Sequence, residues 1–134
     1  MRIIVDTGVF SASISRRRRA RFEAQIGLMA GHQLFLAAVT VSELRFGALV
    51  AGWGDQRRRQ LEQSIAATTV VPVSDALLTT VAELRHACRQ AGHPLHEPIH
   101  ANDLWIAASA VHLGAPLLTA DTVFNDVPGI SLHR

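Results

Sequence analysis

The chain has 134 residues, of which 49% are hydrophobic and 18% are charged, the composition of a folded protein with one substantial core. Its formal net charge is +2, and all 13 residues counted as lysine or arginine are arginine. The lack of lysine excludes a P-loop nucleotide site, Schiff-base catalysis and the usual phosphoaspartate site of a receiver domain.

Hydrophobic periodicity predicts strands and helices that alternate along the chain. In chain order we predict a strand at Arg2–Asp6, a helical turn at Thr7–Ala12, a helix at Ser15–Ala30, a strand at Leu34–Val39, a helix from about Val41, a helix from Asp55 as cap to about Ala67, a strand at Thr69–Val73, a helix capped by Ser74 and Asp75, a helix from about Ile99 to Leu113, a strand at Pro116–Thr119 and a short fifth strand at Ile130–His133. This alternation predicts an α/β fold in one domain, residues 1–134, with a parallel sheet of four to five strands flanked by helices on both faces.

Cysteine usage and hydropathy predict a soluble, cytoplasmic protein with no membrane segment. The single cysteine, Cys88, cannot form an internal disulfide, which favours a reducing compartment. Asp6 interrupts the first apolar run too early for a signal peptide. The most apolar stretch, residues 34–50, contains Glu43 and Arg45 and is too short and polar to span a bilayer.

Four acidic residues stand out because each is embedded in apolar sequence. The other seven of the 11 acids are explained as helix caps, surface neighbours of arginines, or loop and turn residues. The remaining four are Asp6, Glu43, Asp103 and Asp121. Asp6 and Asp121 each follow a predicted strand, and Glu43 lies in the first turn after another. Because the carboxyl ends of parallel strands meet at one edge of a sheet, we expect these three carboxylates to lie together there.

The residue pattern alone leaves a structural explanation open for three of these acids. Asp103 opens a helix that precedes the fourth strand, and we expect the start of that helix to face the opposite edge in a simple βαβ crossover. Glu43 is also explained by a capping box with Thr40, and Asp121 by a turn. Asp6 is the hardest to explain structurally, because an ionised carboxylate beside a hydrophobic core is costly unless it is paired or holds a metal.

Five short motifs occur along the chain, at residues 4–9 (IVDTGV), 41–47 (VSELRFG), 102–108 (NDLWIAA), 117–124 (LLTADTVF) and 127–129 (VPG). In their order and spacing these blocks resemble the PIN-domain family of ribonucleases, and most closely the VapC-type toxins of bacterial toxin–antitoxin pairs. Each block alone is short, but together they extend from residue 4 to residue 129 of the 134. The resemblance implies a single PIN-like domain.

The resemblance also implies the chemistry of the site, a metal-dependent endoribonuclease that hydrolyses RNA phosphodiester bonds. Such an enzyme would bind Mg²⁺ or Mn²⁺ through hard carboxylate oxygens. The implied main ligands are Asp6 and Asp103, while Glu43 and Asp121 would ligate directly or through water. The hydroxyls of Thr7 and Thr119 would support the site by orienting water or phosphate.

The implied partners are an RNA substrate, a cognate antitoxin protein and a second copy of the chain in a homodimer. The chain departs from the family pattern at Val123, where many such toxins carry a further acid. This departure favours the alternative, a catalytically weak PIN-like module that binds RNA or a partner. A haloacid-dehalogenase-like phosphatase is excluded because its second acid, two residues after the first, is replaced here by Gly8.

Other functional side chains have simpler explanations. Two arginine clusters, residues 16–21 and 57–59, suit phosphate, but a solvated helix face or contact with an acidic partner explains them equally well. The three histidines between residues 93 and 100 have no cysteine nearby, which favours surface-loop histidines over a zinc site. Cys88 is predicted in the core, and Trp53 either on a partner surface or in local packing.

Overall fold

The short apolar runs of the sequence form the four strands of one parallel sheet in the computed structural model, which describes residues 1–134. The strands are β1 (Arg2–Val5), β2 (Gln33–Ala37), β3 (Thr69–Val71) and β4 (Leu117–Leu118). Their order across the sheet is β3-β2-β1-β4. Central β1 is fully buried from Ile3 to Val5, and its Ile4 is aligned with Phe35 of β2 and Leu117 of β4.

Six α-helices surround the sheet, and 3-10 turns complete the connections. The helices are α1 (Thr7–Ser13), α2 (Glu23–Gly27), α3 (Ala38–Val50), α4 (Asp55–Ala66), α5 (Asp75–Ala91) and α6 (Ala101–Leu113), and the 3-10 turns are Arg19–Phe22, Pro94–His96, Pro98–His100 and Thr122–Phe124. Glycines in the left-handed conformation, Gly92 and Gly114, end α5 and α6. None of these helices is both long enough and apolar enough to cross a membrane.

The alternation of side chains along β1 divides the interior into two cores. Ile4 packs on one face of the sheet with residues of α5 and α6, among them Leu84 and Ile106. Ile3 and Val5 pack on the other face, with residues of α1, α3 and α4. Helices therefore cover both faces, which confirms the predicted α/β architecture.

The predicted helix at Ser15–Ala30 is wrong over most of its length. The chain forms a turn and a 3-10 segment through the arginine run, and only Glu23–Gly27 is α-helical. Like charges three and four residues apart, as in Arg18 and Arg21 or Arg17 and Arg21, disfavour a regular helix there. In addition, the Arg19 guanidinium donates to the Ser13 carbonyl at 2.8 Å, which holds the turn against the end of α1.

Other boundaries differ from prediction as well; α3, for example, begins at Ala38 rather than at about Val41. The helix expected from Ile99 begins at Ala101, because Ile99 lies in the preceding 3-10 turn with its side chain 84% exposed. The expected fifth strand, Ile130–His133, is reduced to one parallel bridge between Leu132 and Leu117. The regular sheet accordingly ends at β4.

Ser74 provides a test of the predicted capping of α5. Its hydroxyl accepts a hydrogen bond from the Leu77 amide at 3.1 Å. We expect Ser74→Ala to lower the free energy of unfolding by about 1 kcal/mol, measured by urea denaturation, because this amide loses its partner. The control is Ser64→Ala, since the Ser64 hydroxyl lies within α4 and donates back to the Gln60 carbonyl. Equal losses in the two variants would contradict the capping role.

Candidate active site

The site lies where the chain reverses its direction of travel across the sheet. The chain passes from β1 to β2 to β3 on one side and then crosses to β4 on the other side of β1. The carboxyl ends of β1 and β4 therefore form the topological switch point, where open α/β sheets bind ligands. The Asp6 amide donates to the Leu118 carbonyl at 2.9 Å, and this bond joins the two strand ends.

Asp6 is the most buried acid at this edge, with 8% of its surface exposed. It stands just before α1, and Thr119 Oγ1 donates to its Oδ2 at 2.7 Å. Burial raises the pKa of Asp6 to about 6, and the nearby charges of Asp103 and Asp121 add to the effect. The hydrogen bonds from Thr119 and from the Thr7 amide oppose this rise in pKa. Asp6 is thus a desolvated carboxylate with acidic neighbours.

Thr119 connects the ends of β1 and β4 through its hydroxyl group. Besides donating to Asp6, Thr119 Oγ1 accepts a hydrogen bond from the Asp121 amide at 3.0 Å. Asp121 Oδ1 in turn accepts from the Val123 amide at 2.9 Å, so the Asp121 side chain caps the 3-10 turn that follows. These bonds orient both carboxylates.

Glu43 reaches the site from the second turn of α3. The Thr7 hydroxyl donates to Glu43 Oε1 at 2.9 Å and is also 2.9 Å from Thr40 Oγ1. Because a hydroxyl has one proton, Thr40 is the donor in the second bond. Thr40 is fully buried, and the sequence interpretation considered it only as a helix cap. Its role was missed because it depends on the packing of α3 against Thr7.

Asp103 also lies at this edge, which corrects the expectation that the start of its helix would face the other one. A helix that leads into a parallel strand runs antiparallel to it, so the first turn of α6 lies at the carboxyl edge of the sheet. The other end of α6 confirms this direction, since Arg2 at the start of β1 donates to the Leu113 carbonyl at 3.2 Å.

The ionised form of Asp103 is also destabilised by its surroundings. Burial raises its pKa, and the charges of Asp121 and Glu43 raise it further. His100 opposes this rise in pKa, with Nδ1 3.6 Å from Asp103 Oδ2. His100 was predicted as a surface-loop histidine, and its place beside Asp103 was not recognised from the sequence because it depends on the 3-10 turn before α6.

One cavity of about 550 Å³ collects these groups. It is lined by all four predicted acids and by Thr7, and we name it the acidic cavity; its lining residues are Asp6, Thr7, Gly8, Val9, Phe22, Glu43, Asp103, Ala120, Asp121 and Thr122. Phe22, from the 3-10 turn before α2, also lines this cavity. Thr122 lines this cavity, whereas Val123 packs against the core on the α5 and α6 face.

The donor chemistry of the acidic cavity fits a hydrated divalent cation. No three of the chain's His, Cys, Asp and Glu side chains come together as a ready-made metal cage. Mg²⁺ and similar ions do not need such a cage, because they keep several waters and use one or two carboxylates. A buried Asp6 among like charges, with no cationic side chain bonded to it, suits that role.

The remaining predicted candidates lie outside the acidic cavity. Both ring nitrogens of His93 contact backbone atoms, with Nε2 2.8 Å from the Asn125 carbonyl and Nδ1 accepting from the Leu95 amide. Cys88 is fully buried in the core, as predicted. Trp53 is half-buried against the apolar cluster beneath α3 and α4.

The raised pKa of Asp6 makes its ionisation unfavourable for folding. When the pKa of a carboxyl is higher in the folded than in the unfolded state, ionisation of that carboxyl destabilises the folded protein. For Asp6 the free energy of unfolding should fall as the pH rises from 3.8 to about 6, and it should stay lowered above that range. In the absence of divalent cations we expect Asp6→Asn to raise the free energy of unfolding at about pH 7.5, by up to about 3 kcal/mol. The gain should shrink as the pH is lowered through this range, which urea denaturation at several pH values would measure.

A matched control for this measurement is Asp126→Asn. Asp126 is exposed, lies outside the acidic cavity and has a positive φ of 61°, a conformation that asparagine also tolerates. We expect this variant to stay within about 0.5 kcal/mol of wild type. An Asp6→Asn protein no more stable than wild type at neutral pH would contradict the predicted penalty.

Known proteins with similar sequences and structures identify the family of this chain. A family model described as the PIN domain matches residues 3–130. "Ribonuclease VapC5" of Mycobacterium tuberculosis is 34% identical over 128 residues, 94% of this chain and 87% of that protein. VapBC2 from Rickettsia felis, solved with a promoter DNA fragment, has a TM-score of 0.79 at 21% identity, covering 99% of this chain and 98% of that one. VapBC-5 from M. tuberculosis, a member of the VapBC family of toxin–antitoxin systems, has a TM-score of 0.65 at 26% identity, with the same coverage. The chain therefore belongs to the PIN-domain family, as a VapC-type member.

Proposed function

We propose that this protein is a metal-dependent endoribonuclease and the toxin of a toxin–antitoxin pair, acting in the cytoplasm. The observation that carries the proposal is the convergence of Asp6, Glu43, Asp103 and Asp121 on the acidic cavity. Support comes from the name of the 34% identical relative, a ribonuclease, and from the toxin–antitoxin description of the VapBC-5 structure.

The four acids would have different roles in binding Mg²⁺ or Mn²⁺. Asp6 and Asp103 would be the main ligands, because burial raises the pKa of both carboxyls and neighbouring acids raise it further, so that a bound cation would relieve both effects. Glu43 and Asp121 would ligate directly or through water. Such an ion, when bound, lowers the pKa of a coordinated water and neutralises charge on phosphoryl oxygens.

The supporting hydroxyls would fix the directions of these carboxylates. Thr119 holds Asp6 through a 2.7 Å hydrogen bond, and Thr7 holds Glu43 at 2.9 Å. Each hydroxyl engages one carboxylate oxygen, Oδ2 of Asp6 and Oε1 of Glu43, and would thereby fix the orientation of the whole group. Glu43 is half-buried at the wall of the acidic cavity and would position the attacking water there.

The protein partners would be a cognate antitoxin and a second copy of this chain. Exposed apolar side chains near the end of α3 support this part of the proposal, since Phe46, Leu49 and Val50 are 68%, 63% and 71% exposed. Several large apolar side chains on one short segment are typical of a surface that a protein partner covers.

Cleavage of RNA tests the proposal directly. We expect wild-type protein to cut single-stranded RNA internally in Mg²⁺ or Mn²⁺ and to lose this activity in EDTA. Asp6→Asn and Asp103→Asn should each lower the cleavage rate by about a hundredfold or more, because each removes a charged ligand. Gel analysis of end-labelled RNA would measure the rates, with Asp126→Asn as the charge-matched control. A wild-type protein that binds RNA but does not cut it would support the weak binding module instead.

Thermal denaturation tests the metal site without measuring activity. Four carboxylates in one cavity repel one another, and a cation that binds only the folded state stabilises it. We expect Mn²⁺ or Mg²⁺ to raise the Tm of wild type in a concentration-dependent way, and to raise that of Asp6→Asn much less. Equal shifts in the two proteins would place the binding of the ion elsewhere on the chain.

A further inference from the structure

A second groove, of about 850 Å³, opens directly from the acidic cavity. The two share Thr7, Gly8 and Glu43 in their walls. Beyond this shared end the groove runs between the arginine turn that follows α1 and the facing sides of α3 and α4. We name it the basic groove, after the side chains that distinguish it: Arg17, Arg18, Trp53 and Arg57.

The arginines that line the basic groove differ from other arginines of the same clusters in having no acidic partner. Arg58 forms an ion pair with Asp55 at 2.9 Å, and Arg59 donates to the Asp55 carbonyl. Asp55, predicted to cap α4, is instead its first residue. By contrast, Arg17, Arg18 and Arg57 form no salt bridge. Their charges remain available to a ligand.

Arg57 is also held in place before any ligand arrives. Its guanidinium carbon lies 4.2 Å from the centroid of the Trp53 ring, which is a cation–π contact. Trp53 itself packs against the buried cluster that includes Leu61. A guanidinium stacked on a fixed ring keeps its donors free at its edge and loses less freedom when it binds a phosphate.

We propose that the basic groove binds the backbone of single-stranded RNA on one side of the scissile phosphate, with Arg57 as the phosphate contact and Trp53 as its positioning residue. The inference rests on the proposed nuclease function, because the RNA strand in the groove would be the same strand whose phosphate enters the acidic cavity. It favours a single strand, because proteins bind single strands in positively charged grooves that follow the backbone. An acidic protein segment is the competing occupant.

Binding measurements with RNA and no divalent cation test this directly. The probe is a fluorescently labelled single strand of about 12 nucleotides, and fluorescence anisotropy is recorded in EDTA at several salt concentrations. Arg57→Ala should weaken binding about fivefold and lower the slope of log K against log salt by about 0.7, because one phosphate contact is lost. Arg58→Ala, its neighbour on the same helix, should change neither quantity.

The role of Trp53 is tested by a double-mutant cycle. Trp53→Phe keeps an aromatic ring but weakens the cation–π contact, so we expect about a twofold loss of RNA affinity. In the Arg57→Ala background the same change should have no further effect, since Trp53 acts through Arg57. Thermal denaturation would verify that each variant is folded.

The outcomes separate this inference from the proposed function. RNA cleavage by wild type, together with equal RNA affinities for Arg57→Ala and Arg58→Ala, would overturn the groove assignment and leave the nuclease intact. No cleavage, with the expected loss at Arg57 alone, would support the groove and contradict the nuclease. A glutamate peptide of the same length that competes as well as unlabelled RNA would overturn the RNA assignment in favour of an acidic protein partner.

Discussion

The pairing of β1 with β4 is the contact on which the candidate site depends. The two strands bring Asp6 and Asp121 to the same edge of the sheet, and the Asp6 amide bonds to the Leu118 carbonyl across the junction. The Thr119 hydroxyl then bonds to both acids at once. Because β4 has only two residues, these side-chain bonds continue the pairing beyond the regular ladder.

The junction between β1 and β4 orients the site residues at a cost in the stability of the fold. Burying Asp6 between the cores gives it a fixed direction, but it also raises the pKa of its carboxyl to about 6. Asp103 and Asp121 add repulsion that no arginine relieves, since none lines the acidic cavity. Arg17, Arg18 and Arg57 instead line the adjoining basic groove. The acidic cavity and the basic groove thus adjoin but carry opposite charges. A metal cation would bind in the first, and a phosphate in the second.

The sequence predicted the fold and most of the acidic cavity, for physical reasons that are local. Apolar runs that stop at an acid marked Asp6 and Asp121 as strand-end residues, and parallel topology brought Glu43 to them. Asp103 was placed at the cavity only by family resemblance, because the direction of its helix relative to the sheet had been inferred wrongly. The helix expected across the arginine run was wrong because repulsion between like charges and the bond from the Arg19 guanidinium to the Ser13 carbonyl outweighed apolar periodicity.

The arginine clusters mark the limit of reasoning from sequence. Residues 57–59 are identical in type, and only the rotation of α4 shows that Arg57 faces the groove while Arg58 is paired with Asp55. The contributions of Thr40 and His100 likewise arise from contacts between distant elements. Such roles depend on packing geometry, which periodicity does not encode.

The all-arginine character of the chain has one more consequence. A guanidinium stays charged throughout the physiological pH range, so the charge of the basic groove is permanent. The acidic cavity differs, because the protonation of Asp6 changes near pH 6. Capture of an anionic strand by the basic groove would therefore respond to ionic strength rather than to pH.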